Sequence, residues 1–129
     1  MRVTVVIPTY NEVDNLERLC TAIRDELPQA AIVVVDDAST DGTSELADKL
    51  AEHLGSMRVI HRPGKLGLGS AYRTGLRSAI QDGAEICIQM DADFSHDPAM
   101  IPAFLARLED FDLVVGSRYL NGVSVVNWP

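Results

Sequence analysis

The stretch Ile86-Cys87-Ile88-Gln89-Met90-Asp91-Ala92-Asp93 marks the point where a buried strand ends and a polar site begins. Its apolar first half is typical of a strand inside a sheet, and two carboxylates separated by one alanine follow directly. Carboxylates at the end of a strand can converge on one hard cation through their oxygen atoms. We therefore take Asp91 and Asp93 as candidate ligands of Mg²⁺ or Mn²⁺. The alternative is a solvated turn, because an Asp-x-Asp pair is weak evidence by itself.

The composition indicates one globular domain that does not bind nucleic acid. The chain has 129 residues, of which 47% are hydrophobic and 23% charged, as expected for a folded domain. Its net charge of −8 argues against binding to a phosphate backbone, which requires an excess of lysine and arginine. Any anionic ligand must therefore be held by a bound cation or by a few local basic residues.

The apolar segments indicate a soluble, cytoplasmic protein. No apolar run reaches the roughly 18 residues that a membrane span needs, so we expect no transmembrane segment. The run Val3–Ile7 is too short for the apolar part of a signal peptide. Cys20 and Cys87 fall at apolar positions of the predicted elements and match no metal or redox spacing, which favours buried free thiols.

Strand and helix patterns alternate along the chain. Short β-branched runs predict strands, apolar residues at helical spacing predict helices, and Thr43 and Gly55 are expected to cap the second helix. Asp97-Pro98 predicts the start of the fourth helix, and the residues after Tyr119 show no clear period. The predicted strands are Val3–Ile7, Ala31–Val35, Met57–His61, Glu85–Met90 and Asp112–Val115, and the first three helices are Val13–Leu27, Thr43–Leu54 and Ser70–Gln81.

This alternation predicts an α/β fold with a mostly parallel sheet, in which Met57–His61 lies nearest an edge. Ligands of such sheets bind beyond the carboxyl ends of the strands, where the winding reverses. With a strand order of 3-2-1-4, one rim of the sheet collects several polar clusters. These are Pro8 to Glu12, Asp36-Asp37, Asp91 with Asp93, and Gly116 to Arg118. Their coincidence strengthens the prediction of a metal site.

Four motifs in this order resemble the GT-A glycosyltransferases of family 2. They are Val5-Val6-Ile7-Pro8-Thr9-Tyr10-Asn11-Glu12, Val34-Val35-Asp36-Asp37-Ala38-Ser39-Thr40-Asp41-Gly42-Thr43, Met90-Asp91-Ala92-Asp93 and Gly116-Ser117-Arg118-Tyr119. Three further segments are similar to the dolichol-phosphate and polyprenol-phosphate mannose synthases within that family. They are Arg62-Pro63-Gly64-Lys65-Leu66-Gly67-Leu68-Gly69, Asp91-Ala92-Asp93-Phe94-Ser95-His96 and Val125-Val126-Asn127-Trp128-Pro129.

The resemblance implies a three-layer α/β/α, Rossmann-like GT-A fold and an inverting transferase. Such enzymes move a sugar, here mannose from GDP-mannose, to a polyprenyl phosphate at a membrane surface, with a divalent metal on the donor diphosphate. The resemblance implies that Asp91 and Asp93 hold the metal and that Asp91, Asp93 and Arg118 are catalytic. The residues it implies for the nucleotide sugar are Pro8, Tyr10, Glu12, Asp36, Asp37, Lys65, Gly67, Asp91, Ala92 and Asp93.

Each of these assignments has a plainer alternative. Asp36-Asp37 could be a capped turn, the glycine-rich stretch 62–69 a flexible turn, and Arg118 a surface ion-pair partner. Ser95 is a doubtful metal ligand because its side chain is short, and His96 is expected to be a polar turn residue. An Arg118 guanidinium would suit a phosphate clamp, and an ionised acceptor phosphate needs no strong general base.

Three other functions remain open. The first is transfer from another donor, such as UDP-glucose or UDP-N-acetylglucosamine. The second is a receiver-like signalling domain, although there the acidic pair should follow the first strand. The third is nucleotide binding without catalysis, which is suggested by length, because family catalytic domains continue past the Asn-Trp-Pro stretch. We therefore expect residues 1–129 to form a nucleotide-sugar-binding domain that is truncated relative to the full catalytic domain.

Overall fold

The structure is a computed structural model that describes residues 1–117 and 122–126 of the chain. Arg118 and the Asn127-Trp128-Pro129 segment lie outside the described residues. The strands are β1 (Val3–Thr9), β2 (Ala31–Asp37), β3 (Met57–Arg62), β4 (Ile86–Gln89), β5 (Leu113–Ser117) and β6 (Gly122–Val126). The α-helices are α1 (Leu16–Glu26), α2 (Thr43–Leu54), α3 (Leu68–Gln81) and α4 (Ile101–Arg107), and a 3₁₀ turn, Pro98–Met100, precedes α4.

The first four strands form one parallel sheet in the order β3-β2-β1-β4. This confirms the order 3-2-1-4 and places β3 at the edge, as expected. The register sets Thr9 beside Asp36 and Asp37 beside Arg62, so the polar ends of neighbouring strands are in contact range. Because all four strands run the same way, their carboxyl ends share one rim.

Helices cover both faces of this sheet and give three layers. Alternate residues of β1 and β2 point to opposite faces, and both sets are buried because parallel sheets are covered on each side. One face packs against α1, α2 and α4 through Val5, Ile7, Ile32 and Val34. The other packs against α3 through Val6, Val33 and Val35.

The structure corrects the expected starts of the first two helices. The helix expected from Val13 begins at Leu16, and Val13 lies in the turn before it, where its amide donates to Asp41 Oδ2 at 3.2 Å. Thr43 is not the cap of α2: Gly42 is, with φ of +99°, a conformation that glycine adopts without strain. The expected stop at Gly55 is confirmed.

The last strands also differ from the expectation. β5 does not extend the parallel sheet; it pairs with β6 in a separate antiparallel sheet of two strands. The sequence analysis did not predict β6, which forms by pairing with β5. The Asp97-Pro98 start is confirmed in part, because Asp97 accepts a hydrogen bond from the Ala99 amide at 2.9 Å but caps a 3₁₀ turn.

Candidate functional site

A cleft of about 260 Å³ lies at the carboxyl rim of the parallel sheet. The loops after β1, β2 and β4 form its walls together with the glycine-rich loop before α3. All of the residues expected to contact a nucleotide sugar line it, except Asp36. The lining residues are Pro8, Thr9, Tyr10, Glu12, Asp37, Lys65, Gly67, Leu68, Ala71, Asp91, Ala92 and Asp93.

The loops after β1 and β2 are tied together by side chains. The Asn11 amide donates to Ser39 Oγ at 2.8 Å, and Asn11 Oδ1 accepts from the Thr40 amide at 2.9 Å. The Glu12 amide donates to Thr43 Oγ1 at 2.8 Å. Asn11 and Ala38 have positive φ angles of +55° and +52°, which non-glycine residues keep only where their surroundings hold them. This wall of the cleft is therefore built before any ligand binds.

Asp36 points into the protein and not into the cleft. It is 1% exposed, and its carboxylate accepts hydrogen bonds from Thr9 Oγ1 at 2.6 Å, Ser39 Oγ at 2.6 Å and the Ser39 amide at 3.1 Å. Three donors satisfy most of the capacity of a buried carboxylate. The contacts of Asp36 are those of a turn that joins β1 to the loop after β2.

Asp37 lines the cleft and is paired with a residue that the sequence reasoning missed. Arg62 Nε and Nη2 donate to the two Asp37 oxygens at 2.6 and 2.9 Å, and both side chains are 7% exposed. This two-bond geometry is the strongest that arginine makes with a carboxylate. The signal was present in the sequence, since a strand order of 3-2-1-4 puts an arginine at the end of β3 next to an aspartate at the end of β2.

Lys65 and Tyr10 contact each other on one wall of the cleft. The Lys65 ammonium lies 4.4 Å from the centre of the Tyr10 ring, within range of a cation–π interaction. Tyr10 is 42% exposed, so the contact keeps an aromatic face at the cleft surface. Gly67 has a φ of +101°, which explains why a glycine stands where the loop turns into α3.

Two neighbours orient the Asp91 side of the acidic pair. The Tyr72 hydroxyl of α3 donates to Asp91 Oδ1. Burial and this hydrogen bond raise the pKa of Tyr72 well above its usual range, so the phenol keeps its proton. The Asp91 amide donates to His96 Nδ1 at 2.9 Å, which gives His96 the role of a polar turn residue. Sequence reasoning missed Tyr72, because no local pattern links α3 to the end of β4.

Asp93 is placed by the turn that follows it. It accepts a hydrogen bond from the Ser95 amide at 2.9 Å. Hydrogen bonds from Ser95 hold the pKa of the Asp93 carboxyl below its usual range, so it is ionised at neutral pH. Between the two aspartates, Ala92 is 3% exposed, which directs their carboxylates to the cleft side of the chain.

The donor set suits a divalent ion that keeps most of its ligands outside the protein. Among the described residues, no group of three or more His, Cys, Asp or Glu side chains is arranged to hold a metal ion. Two carboxylates at the mouth of a cleft match Mg²⁺ or Mn²⁺ that also takes water and phosphate oxygens. None of the helices in the described ranges 1–117 and 122–126 has the length and apolar character needed to cross a bilayer.

Comparisons with known sequences identify relatives over the whole chain. The family model described as "Glycosyl transferase family 2" matches residues 4–129. The undecaprenyl-phosphate mannosyltransferase of Micrococcus luteus is 45% identical over 100% of this chain, and this chain covers 53% of that protein. The polyprenol monophosphomannose synthase of Mycolicibacterium smegmatis is 43% identical over 99% of this chain and 49% of its own length. The chain thus spans about half the length of these relatives.

Two solved structures share the fold. The mannosyltransferase PcManGT from Pyrobaculum calidifontis, in complex with GDP-Man and Mn²⁺, superposes with a TM-score of 0.64 at 35% identity over 71% of this chain and 27% of that one. Residues 1–349 of TarS from S. aureus superpose with a TM-score of 0.71 at 22% identity, over 89% of this chain and 34% of that one. The second likeness shows the fold alone. Together with the sheet order, the two confirm the expected GT-A architecture.

Proposed function

This chain belongs to glycosyl transferase family 2, and from that premise we propose that it binds the donor of an inverting mannosyltransferase. The donor is GDP-mannose, the acceptor is a polyprenyl phosphate at a membrane surface, and a divalent metal assists. Residues 1–129 supply the donor-binding part of the enzyme. Support for mannose transfer to a lipid phosphate comes from relatives at 43–45% identity whose names describe that reaction.

One observation carries the proposal. Loops that are far apart in sequence meet in a single cleft, and that cleft has an aromatic ring with a lysine on one wall and an acidic pair among its lining residues. A nucleoside diphosphate has the matching parts, a flat base and an anionic diphosphate. The Tyr10 ring and the Lys65 loop suit the base, while Asp91 and Asp93 suit the diphosphate through a cation.

The metal would be held by Asp91 and Asp93. When bound there, it would supply charge neutralisation for the leaving nucleoside diphosphate. Tyr72 and His96 keep the loop after β4 in place, so the carboxylates are oriented before the donor arrives. Preorganised groups of this kind need little rearrangement during the reaction, and rate would come from positioning and electrostatics.

The acceptor phosphate needs fewer protein groups for its reaction than the donor does. A phosphate monoester is substantially ionised at neutral pH, since its second pKa is near 6, and it can attack without a general base. Attack from the side opposite the leaving group inverts the configuration at the sugar carbon. We assign the phosphate-clamping role to Arg118, which lies outside the described residues and follows β5 in sequence.

A donor panel tests the proposal. Thermal unfolding of the protein should be measured with GDP-mannose, UDP-glucose and UDP-N-acetylglucosamine, each with Mn²⁺ and again with a chelator. We expect GDP-mannose with Mn²⁺ to raise the midpoint most, because a ligand that binds only the folded state stabilises it. A larger shift with a UDP-sugar would move the assignment to another donor, and no shift with any of them would contradict donor binding.

A further inference from the structure

Arg62 connects three parts of the protein around the glycine-rich loop. Besides its two bonds to Asp37 at the end of β2, Arg62 Nη1 donates to Ser70 Oγ at 2.6 Å and Nη2 to the Gly67 carbonyl at 3.2 Å. Asp37 Oδ2 also accepts from the Leu66 amide at 3.1 Å. The pair therefore holds the loop at two points and the first turn of α3 at a third.

Apolar packing cannot hold this loop. Between Arg62 and Ala71 no residue is buried, and Leu66 and Leu68 are 55% and 56% exposed. Gly64, Gly67 and Gly69 give the backbone more freedom than other residues would. Hydrogen bonds to a buried ion pair are thus the main constraint on the position of the loop, supplemented by the exposed contact of Lys65 with Tyr10.

We infer that Arg62 is the positioning residue of the donor cleft: together with Asp37 it holds the loop 63–67 against the sheet. This inference rests on the proposed function in one respect: the nucleoside of the donor is taken to enter beside Lys65 and Gly67. Both oxygens of Asp37 are engaged in the clamp. Asp37 accordingly shapes the base end of the cleft by anchoring the loop.

Arg62 also neutralises part of the negative charge at the cleft. Among the described lining residues, Glu12, Asp37, Asp91 and Asp93 are acidic and Lys65 is basic. A donor diphosphate would be repelled by this excess of negative charge unless some of it were neutralised. The Arg62 guanidinium cancels the charge of Asp37 at contact distance, so a cation at the acidic pair has less left to offset.

The experiment compares two arginines of the same strand. Arg62→Lys keeps the positive charge but cannot form the two-bond pair, whereas Arg58→Lys changes an exposed arginine on the same strand, outside the cleft. Amide hydrogen exchange of the peptide covering 63–69 should be followed without ligand. We expect exchange to be about tenfold faster in Arg62→Lys, because this factor corresponds to the loss of roughly one charge-assisted hydrogen bond. We expect no change in Arg58→Lys. Ser70→Ala removes one clamp contact and should give a smaller change in the same direction.

The second measurement is GDP affinity in Mn²⁺. We expect Arg62→Lys to bind GDP about tenfold more weakly and Arg58→Lys to match the wild type. If loop exchange in Arg62→Lys equals that of the wild type, the anchor is overturned whether or not GDP binds. If exchange rises but GDP affinity does not change, the positioning role is overturned. If the wild-type protein binds no nucleotide, the proposed function fails, and the exchange data still decide whether Arg62 holds the loop.

Discussion

One distant side chain and one local turn orient the two carboxylates of the acidic pair. Asp91 and Asp93 stand one residue apart in sequence, but each is oriented by a different partner, Tyr72 from α3 and Ser95 from the following turn. Groups behind a metal ligand restrict its rotation and raise its affinity for the ion. We therefore assign Tyr72 to the proposed metal site, although it does not line the cleft.

Replacing Tyr72 by phenylalanine should weaken metal-dependent binding. The change removes the hydroxyl that donates to Asp91 Oδ1 and keeps the ring. We expect GDP affinity in Mn²⁺ to fall about tenfold, the lower end of the effects reported for groups behind metal ligands. Affinity in a chelator should be the same for Tyr72→Phe and wild type. An equal loss with and without metal would mean that Tyr72 supports the cleft in general, not the metal ligand.

Cys20 should make stability depend on alkaline pH. Its side chain is fully buried on α1, and burial raises the pKa of the thiol from 9.0 to about 12. Below pH 9 the thiol is neutral in both folded and unfolded protein and has no effect. As pH rises from 9 towards 12 the unfolded thiol ionises first, so the free energy of unfolding falls.

Urea unfolding at pH 7 and pH 10, under reducing conditions, measures this effect against Cys20→Ala as the reference. Between the two values the wild type should lose about 1.4 kcal/mol more than the alanine variant, which corresponds to one pH unit above the unfolded pKa. Identical pH dependence in the two proteins would show that the folded thiol ionises freely.

Among the elements, α3 is packed most closely on the sheet. A Cβ atom added at Gly75 would overlap Val6 Cγ1 of β1 and lie 3.1 Å from Val35 Cγ2 of β2. Glycine at this point lets the helix backbone approach the sheet. That approach brings Tyr72 to Asp91 and Ser70 to Arg62.

Gly75→Ala should destabilise the protein by about 1–3 kcal/mol, the usual cost of overpacking a core. The matched control is Gly69→Ala in the first turn of the same helix, where nothing lies within 4 Å of an added Cβ. There the better helix propensity of alanine should raise stability by up to about 1 kcal/mol. Urea unfolding measures both. Equal effects of the two substitutions would contradict close packing at Gly75.

A helix or strand could be predicted from the sequence where its own residues determine it. β1 and β2 are continuous β-branched runs, and α1 and α3 show helical spacing, so each could be identified from its own residues. β6 could not, because its structure depends on pairing with β5. The start of α1 was misplaced because apolar spacing locates a helix more reliably than its first residue.

Over the whole molecule, the gathering of the candidate residues in one cleft could be predicted, but the side-chain contacts around that cleft could not. The rule that ligands bind at the carboxyl ends of parallel strands brought Pro8, Asp37 and Asp91 to one cleft. The inward turn of Asp36 and the clamp of Arg62 depend on side-chain partners across strands. The predicted strand order placed the ends of β2 and β3 side by side, but the pairing of Arg62 with Asp37 also depends on the register, which the sequence does not state. The role of Arg118 stays a prediction.

The central claim is that a divalent ion joins the donor diphosphate to Asp91 and Asp93. Calorimetric titration of GDP-mannose in Mn²⁺ and in a chelator tests it with the double variant Asp91→Asn/Asp93→Asn. The matched control is Asp97→Asn, an aspartate of the same loop region outside the cleft, whose amide oxygen can still cap the turn.

We expect the double variant to bind GDP-mannose in Mn²⁺ at least about a hundredfold more weakly than the wild type, since both protein ligands of the ion are replaced. In the chelator, wild type and double variant should bind equally weakly, and Asp97→Asn should match the wild type throughout. If the double variant binds GDP-mannose in Mn²⁺ as tightly as the wild type does, the claim is contradicted.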